Sequence, residues 1–116
     1  MKISVLLPYK ENFSEKYAGA VSIFVKDIAL NSNYFNTTHI YGHTTLKKIF
    51  LKKYINIPLK KNFFKSTSKI YVEEFLKKEK KFNSDIIEIH NRPNYIKFLN
   101  SLNTKKVLYF HNDPIS

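Results

Sequence analysis

Short apolar runs alternate with stretches of helical periodicity along the whole chain, and this alternation restricts the fold more than any other feature. Ile-Ser-Val-Leu-Leu-Pro at 3–8 is a nearly unbroken apolar run, the pattern of a strand buried on both faces. A polar, aperiodic loop follows at 9–17. Residues 18–30, Ala-Gly-Ala-Val-Ser-Ile-Phe-Val-Lys-Asp-Ile-Ala-Leu, then put the polar Ser22 and Lys26 four apart on one narrow face. That spacing predicts a mostly buried helix.

A short second strand is predicted at 39–42, after an Asn/Ser/Thr-rich turn. In 44–65, Leu46, Ile49 and Phe50 suggest one or two helical turns, and 55–59, with Pro58, suggests a short edge strand. Residues 66–82 form an amphipathic helix pattern with Val72, Phe75 and Leu76 inward. Glu73/Lys77 and Glu74/Lys78 are spaced for i,i+4 pairs. Another buried strand is predicted at 85–90, ending in Asn91-Arg92-Pro93, where Asn91 suits an N-cap and Pro93 a first turn. Tyr95, Phe98, Leu99 and Leu102 mark one face of a short helix, and 106–110 reads as the last strand. The order predicts βαβ units: an α/β, Rossmann-like parallel sheet with helices on both faces. A parallel sheet is normally covered on both faces. With six residues after the last strand, the sequence reads as one partial domain over 1–116.

In open parallel sheets ligands bind beyond the carboxyl ends of the strands. Those ends carry Pro8-Tyr9-Lys10-Glu11, Gly42-His43, His90-Asn91-Arg92 and His111-Asn112-Asp113. Three of the four histidines lie there. Ala18-Gly19-Ala20 precedes the first helix, where a glycine lets a phosphate approach backbone N–H groups at the positive end of the helix dipole. Close helix–strand packing is the plainer use of Gly19. G-x-G-x-x-G, the Walker loop, D-x-D, H-E-x-x-H and G-x-S-x-G are all missing. The pattern therefore predicts neither a dinucleotide fingerprint, nor a metal site, nor an α/β-hydrolase elbow, and no cofactor is expected.

The net charge is +11, and it is uneven: residues 43–81 hold twelve lysines against three glutamates. Three readings remain open for this segment. It is a solvated lysine-rich face, or a surface for anionic lipid with Leu46, Ile49, Phe50 and Leu51 among Lys47, Lys48, Lys52 and Lys53, or a nucleic-acid surface. A single arginine, Arg92, counts against nucleic acid as a partner. The chain has no cysteine, which agrees with a cytoplasmic setting, peripheral at the inner membrane face under the lipid reading.

Taken together, Lys-Ile-Ser-Val-Leu-Leu-Pro at 2–8, Ala18-Gly19-Ala20, Asp-Ile-Ile-Glu-Ile-His-Asn-Arg-Pro at 85–93 and Val-Leu-Tyr-Phe-His-Asn-Asp-Pro at 107–114 give the chain a family likeness. It resembles the N-terminal domain of family 4 glycosyltransferases, retaining enzymes of the two-domain GT-B fold. The resemblance implies a nucleotide-sugar donor, held mainly by a C-terminal domain that this sequence does not contain, and a glycan or lipid-linked acceptor, as in cell-envelope polysaccharide biosynthesis. It implies that Gly19 and Ala20 meet the donor diphosphate and that His111 faces the donor sugar as the catalytic residue. Tyr9, His90, Asn91, Arg92 and Asp113 are implied on the acceptor side. Ala18 departs from a family pattern that often has a second glycine. The alternative is a complete, flavodoxin-like binding or regulatory domain, in which a helix should cover the last strand.

Overall fold

The structure is a computed structural model that describes residues 1–59 and 64–111. Five strands form one sheet: β1 (Ile3–Leu6), β2 (Thr38–Gly42), β3 (Tyr54–Asn56), β4 (Ile86–His90) and β5 (Lys105–Tyr109). Their order is β3-β2-β1-β4-β5, and every pairing is parallel. The chain moves outward from β1 to β3, then returns to the other side of β1 for β4 and β5. Its direction of travel therefore reverses between β1 and β4, the place where a doubly wound sheet opens a crevice beyond its strand ends. Helix α1 (Ala20–Leu30) lies on one face. Helix α2 (Thr67–Phe82) and the 3-10 helix Pro93–Leu99 lie on the other.

The period-two alternation of the strands divides the core into two layers. Leu6, Tyr41, Ile87 and Ile89 pack against Tyr71, Val72 and Phe75 of α2 and against Tyr95 and Leu99. On the opposite face, Ile3, Val5, Leu7 and Ile40 meet Val21, Val25 and Ala29 of α1, with Phe13 and Tyr54 beside them. Phe75 is fully buried, worth about 2–3 kcal/mol relative to an exposed ring. Helix α2 is well terminated. The Ser66 hydroxyl accepts from the Lys69 amide at 3.2 Å, and Asn83 closes the other end in the left-handed region at φ 54°. Its surface ion pairs are Lys77–Glu74 at 2.9 Å and Lys65–Glu73 at 2.8 Å, in place of the two i,i+4 pairs expected from spacing.

Two expectations are corrected here. Ser22 does not mark an outward polar strip on α1. It is fully buried, while Phe24 and Ile28 are exposed, because the helix is phased by Val21, Val25 and Ala29. Residues 46–50 form no helical turn. That stretch makes an isolated antiparallel bridge between Ser14 and Ile49, and Phe50 packs edge-on against Phe13 at 5.3 Å. Pro58 lies just beyond β3, which is an edge strand as expected.

Strand β5 is the other edge of the sheet. Tyr109 and Phe110 are 37% and 49% exposed. On the α1 side, residues of α1 and of β4 and β5 line opposite walls of a groove. The groove is about 110 Å³ and is lined by Phe24, Ile28, Glu88, His90 and Tyr109 among others.

Candidate functional site

β4 and β5 end side by side, and the hydrogen bonds at their ends bring two histidines together. Asn91 follows β4 in the left-handed region at φ 56°, a conformation asparagine tolerates better than most residues. That turn lets the Asn91 amide donate to the Tyr109 carbonyl at 2.8 Å, while its side-chain Oδ1 accepts from the His111 amide at 2.7 Å. Asn91 thus ties the two strand ends together, and Arg92, not Asn91, is the N-cap of the following 3-10 helix.

The two imidazoles then meet directly. His90 Nδ1 lies 2.8 Å from His111 Nε2. His90 is 2% exposed and stacks on the Tyr109 ring at 4.8 Å. Its other nitrogen, Nε2, is buried without a hydrogen bond and sits 3.7 Å from a carboxylate oxygen of Glu88. A buried polar nitrogen left unpaired costs about 1–3 kcal/mol whether it donates or accepts, so the nearby carboxylate bears on how the cluster is protonated. The Phe24 ring of α1 stands edge-on to His111 at 4.8 Å.

The N-terminus of α1 approaches the same strand ends, and it is occupied. Gly19 is the N-cap, with extended backbone and no side chain to satisfy the first turn. The Glu11 carboxylate takes that role from a distance. Its Oε2 accepts from the Ser22 amide at 3.3 Å and from the Ser22 hydroxyl at 2.9 Å. A Cβ on Gly19 would fall 2.6 Å from both Glu11 oxygens, so glycine is needed for the carboxylate to reach in. A negative group at the positive end of a helix dipole is stabilising.

Burial lowers the His111 pKa, the neighbouring His90 lowers it further, and Glu11 opposes both. Burial also lowers that of His39, which stacks on Phe82 at 3.7 Å, with Lys53 as the next cause. Unfolded histidines take up protons near 6.5, whereas these two do so at lower pH when folded. Between those values the unfolded chain binds more protons, so stability falls as pH drops through that window. Thermal melts from about pH 7.5 to 5 should show a declining midpoint. His111→Ala should flatten the decline, and an unchanged slope in that variant would remove His111 as a contributor.

The expected site residues thus fall into separate groups. His90, Asn91 and His111 form one contact cluster, and Arg92 joins it by donating to the Asn91 carbonyl at 2.7 Å. Gly19 and Ala20 lie at the start of α1, with the Glu11 carboxylate against Gly19 and bonded to Ser22. Tyr9 is elsewhere: its amide donates to the Tyr95 hydroxyl at 3.2 Å and its ring packs near Tyr71, on the α2 face of the sheet. His43 bonds the Ile57 carbonyl at 2.8 Å and anchors the end of β3, apart from the other two strand-end histidines. Asp113 lies outside the described residues. Phe24 and Glu88 were not singled out from sequence, and Glu11 was named only as part of the first strand end. Glu88 had a signal, being the one charged side chain inside the apolar run of β4. Glu11 had its place at a strand end as a signal, but its role at the helix terminus had none, since its partner Ser22 is eleven residues away.

No protein-family model matches this sequence, and no curated protein matches it. The fold is similar to that of sucrose-phosphate synthase from Thermosynechococcus elongatus, with a TM-score of 0.62 and 14% sequence identity. The similarity covers 97% of this chain and 33% of that one, so the chain spans about a third of that protein's length. The likeness establishes the architecture: a Rossmann-like parallel sheet of the kind found in GT-B glycosyltransferases.

Proposed function

We propose that this chain forms the acceptor-side wall of a sugar-transfer cleft, closed by a second α/β domain that holds most of a nucleotide-sugar donor. The observation that carries the reading is the His90–Asn91–His111 cluster, placed at the strand ends next to the reversal point and beside the N-terminus of α1. Departure of a nucleoside diphosphate needs stabilisation of its phosphates, and the sugar develops positive charge as it leaves. The α1 N-terminus suits the first requirement once Glu11 has moved aside. A neutral His111 suits the second, as a group that hydrogen-bonds the donor sugar. Among the described residues no group of three or more His, Cys, Asp or Glu is placed to hold a metal ion. Asn91 and Arg92 would face the glycan or lipid-linked acceptor, with the buried His90 behind them.

The test compares the affinity of the chain for nucleoside diphosphate sugars and for the bare nucleoside diphosphates. With only one wall of the cleft present, dissociation constants of about 1 mM are expected. His111→Ala should weaken binding of the sugar-bearing donors several-fold and leave the bare nucleotides alone. Equal loss for both, or no loss for either, would remove His111 from the sugar site.

A lipid-linked acceptor would place the enzyme at an anionic membrane. Lys47, Lys48 and Lys52 are exposed and Ile49 is 36% exposed, whereas Phe50 and Leu51 pack against the core. Attraction would therefore be electrostatic, on the order of 1 kcal/mol per lysine near the surface. The chain should co-sediment with anionic vesicles at low salt and be released as salt rises. Recovery in the supernatant regardless of lipid charge would show that these lysines form only a solvated face.

A further inference from the structure

The two histidines and Glu88 form a chain of contacts whose protonation the geometry restricts. His90 Nε2 is buried and faces the Glu88 carboxylate at 3.7 Å. A lone pair on that nitrogen would oppose the carboxylate charge in a site with little water, whereas a hydrogen there would point at it favourably. His90 therefore carries its hydrogen on Nε2, which leaves Nδ1 as an acceptor. Among the described residues the partner on that side of the ring is His111 Nε2 at 2.8 Å, and a hydrogen bond between two neutral imidazoles needs one donor. His111 must then carry its own hydrogen on Nε2. Its remaining nitrogen, Nδ1, holds a lone pair.

We infer that Glu88 and His90 are positioning residues for His111. Glu88 holds His90 as the Nε2–H tautomer, His90 Nδ1 accepts from His111 Nε2–H, and His111 presents Nδ1 as an acceptor for a sugar hydroxyl. The use of that lone pair rests on the sugar-transfer reading; its existence does not. The ring is also held in place mechanically: Tyr109 stacks on His90, Phe24 stands against His111, and Asn91 fixes the His111 backbone. The other charged group facing His111 is Glu11, from the loop after β1. Tyr109, whose hydroxyl pKa is raised first by Glu88 and then by burial, stays neutral and leaves the carboxylate as the charge that orients His90.

Histidine tautomers can be read directly from the ring nitrogens. Long-range proton–nitrogen NMR on the 15N-labelled chain at about pH 8 should show Nε2–H tautomers for both His90 and His111. Glu88→Leu should redistribute both rings towards Nδ1–H, while Glu88→Gln, whose amide oxygen still accepts, should restore the original pattern. His39, in β2, serves as the internal reference for folding. If Glu88→Leu disturbs His39 as well, His111→Ala decides the matter: His90 should keep its hydrogen on Nε2. An Nδ1–H tautomer for His90 in the unaltered chain, or rings indifferent to Glu88→Leu in a folded protein, would overturn the inference. Neither outcome depends on a nucleotide sugar, so failure of the donor-binding test would leave this result standing, and the reverse also holds.

Discussion

Glu79→Ala is expected to destabilise the chain by about 3 kcal/mol, the range found when one partner is removed from a buried charged hydrogen-bond network. Glu79 lies in the last turn of α2 and is 2% exposed. One of its oxygens accepts from the Ser4 hydroxyl at 2.5 Å, and the other accepts from the amide of Ser84 at 2.9 Å and from its hydroxyl. A single carboxylate thus joins the end of α2 to the middle of β1 and to the turn that leads into β4. Truncation would strand two buried hydroxyls and an amide and open a cavity as well. For a domain of this size the loss corresponds to a fall of about 10 °C in the thermal midpoint. Glu79→Gln keeps one acceptor and the shape, so it should cost less than half as much. A midpoint for Glu79→Ala within about two degrees of the unaltered chain would show that the network is not a stabilising joint.

Glu11→Gln is expected to act in opposite directions on stability and on anion binding. The Glu11 carboxylate occupies the N-terminus of α1, a helix with no acidic residue in its own first turn. Loss of its charge removes a favourable dipole interaction and weakens the cap, costing about 1 kcal/mol. The same change removes the negative charge nearest the proposed diphosphate position. Affinity for pyrophosphate should rise about tenfold, a gain within reach of one close like-charge repulsion in a partly solvated site. Gly19→Ala separates the two effects. Its Cβ would collide with both carboxylate oxygens and push Glu11 out, yet would itself crowd the approach to the backbone amides. That variant should lose stability without gaining affinity. Pyrophosphate affinity unchanged in Glu11→Gln would show that Glu11 does not compete with phosphate.

The strands were legible in the sequence because burial on both faces writes an apolar run with little ambiguity, as in β1 and β4. The phase of α1 was not legible. Ser22 reads as a surface residue until its distant partner Glu11 is known, and an apolar helix offers no polar stripe to orient it. Glu79 was hidden for a related reason: in a lysine- and glutamate-rich helix, nothing local separates a buried glutamate from the exposed Glu73 and Glu74 pairs. Residues 46–51 misled because Phe50 and Leu51 owe their apolar character to tertiary packing against the α1-side core, while their spacing imitates a helical turn. At the site, the histidines at strand ends were visible as a pattern, but not which of them would meet. Parallel register alone puts His90 beside Tyr109 and so brings His111 to it, while His43 falls two strands away.

The most direct measurement is a titration of the 15N-labelled chain with a nucleoside diphosphate sugar, followed by backbone NMR. Binding in the proposed cleft should shift the amides of Gly19, Ser22, Asn91 and His111 together, in proportion and to one saturating value. The bare nucleoside diphosphate should move Gly19 and Ser22 but leave His111 nearly in place. Shifts confined to the exposed lysines, or no shift at the ends of β4 and β5 at concentrations well above about 1 mM, would contradict a sugar-transfer cleft on this face of the sheet.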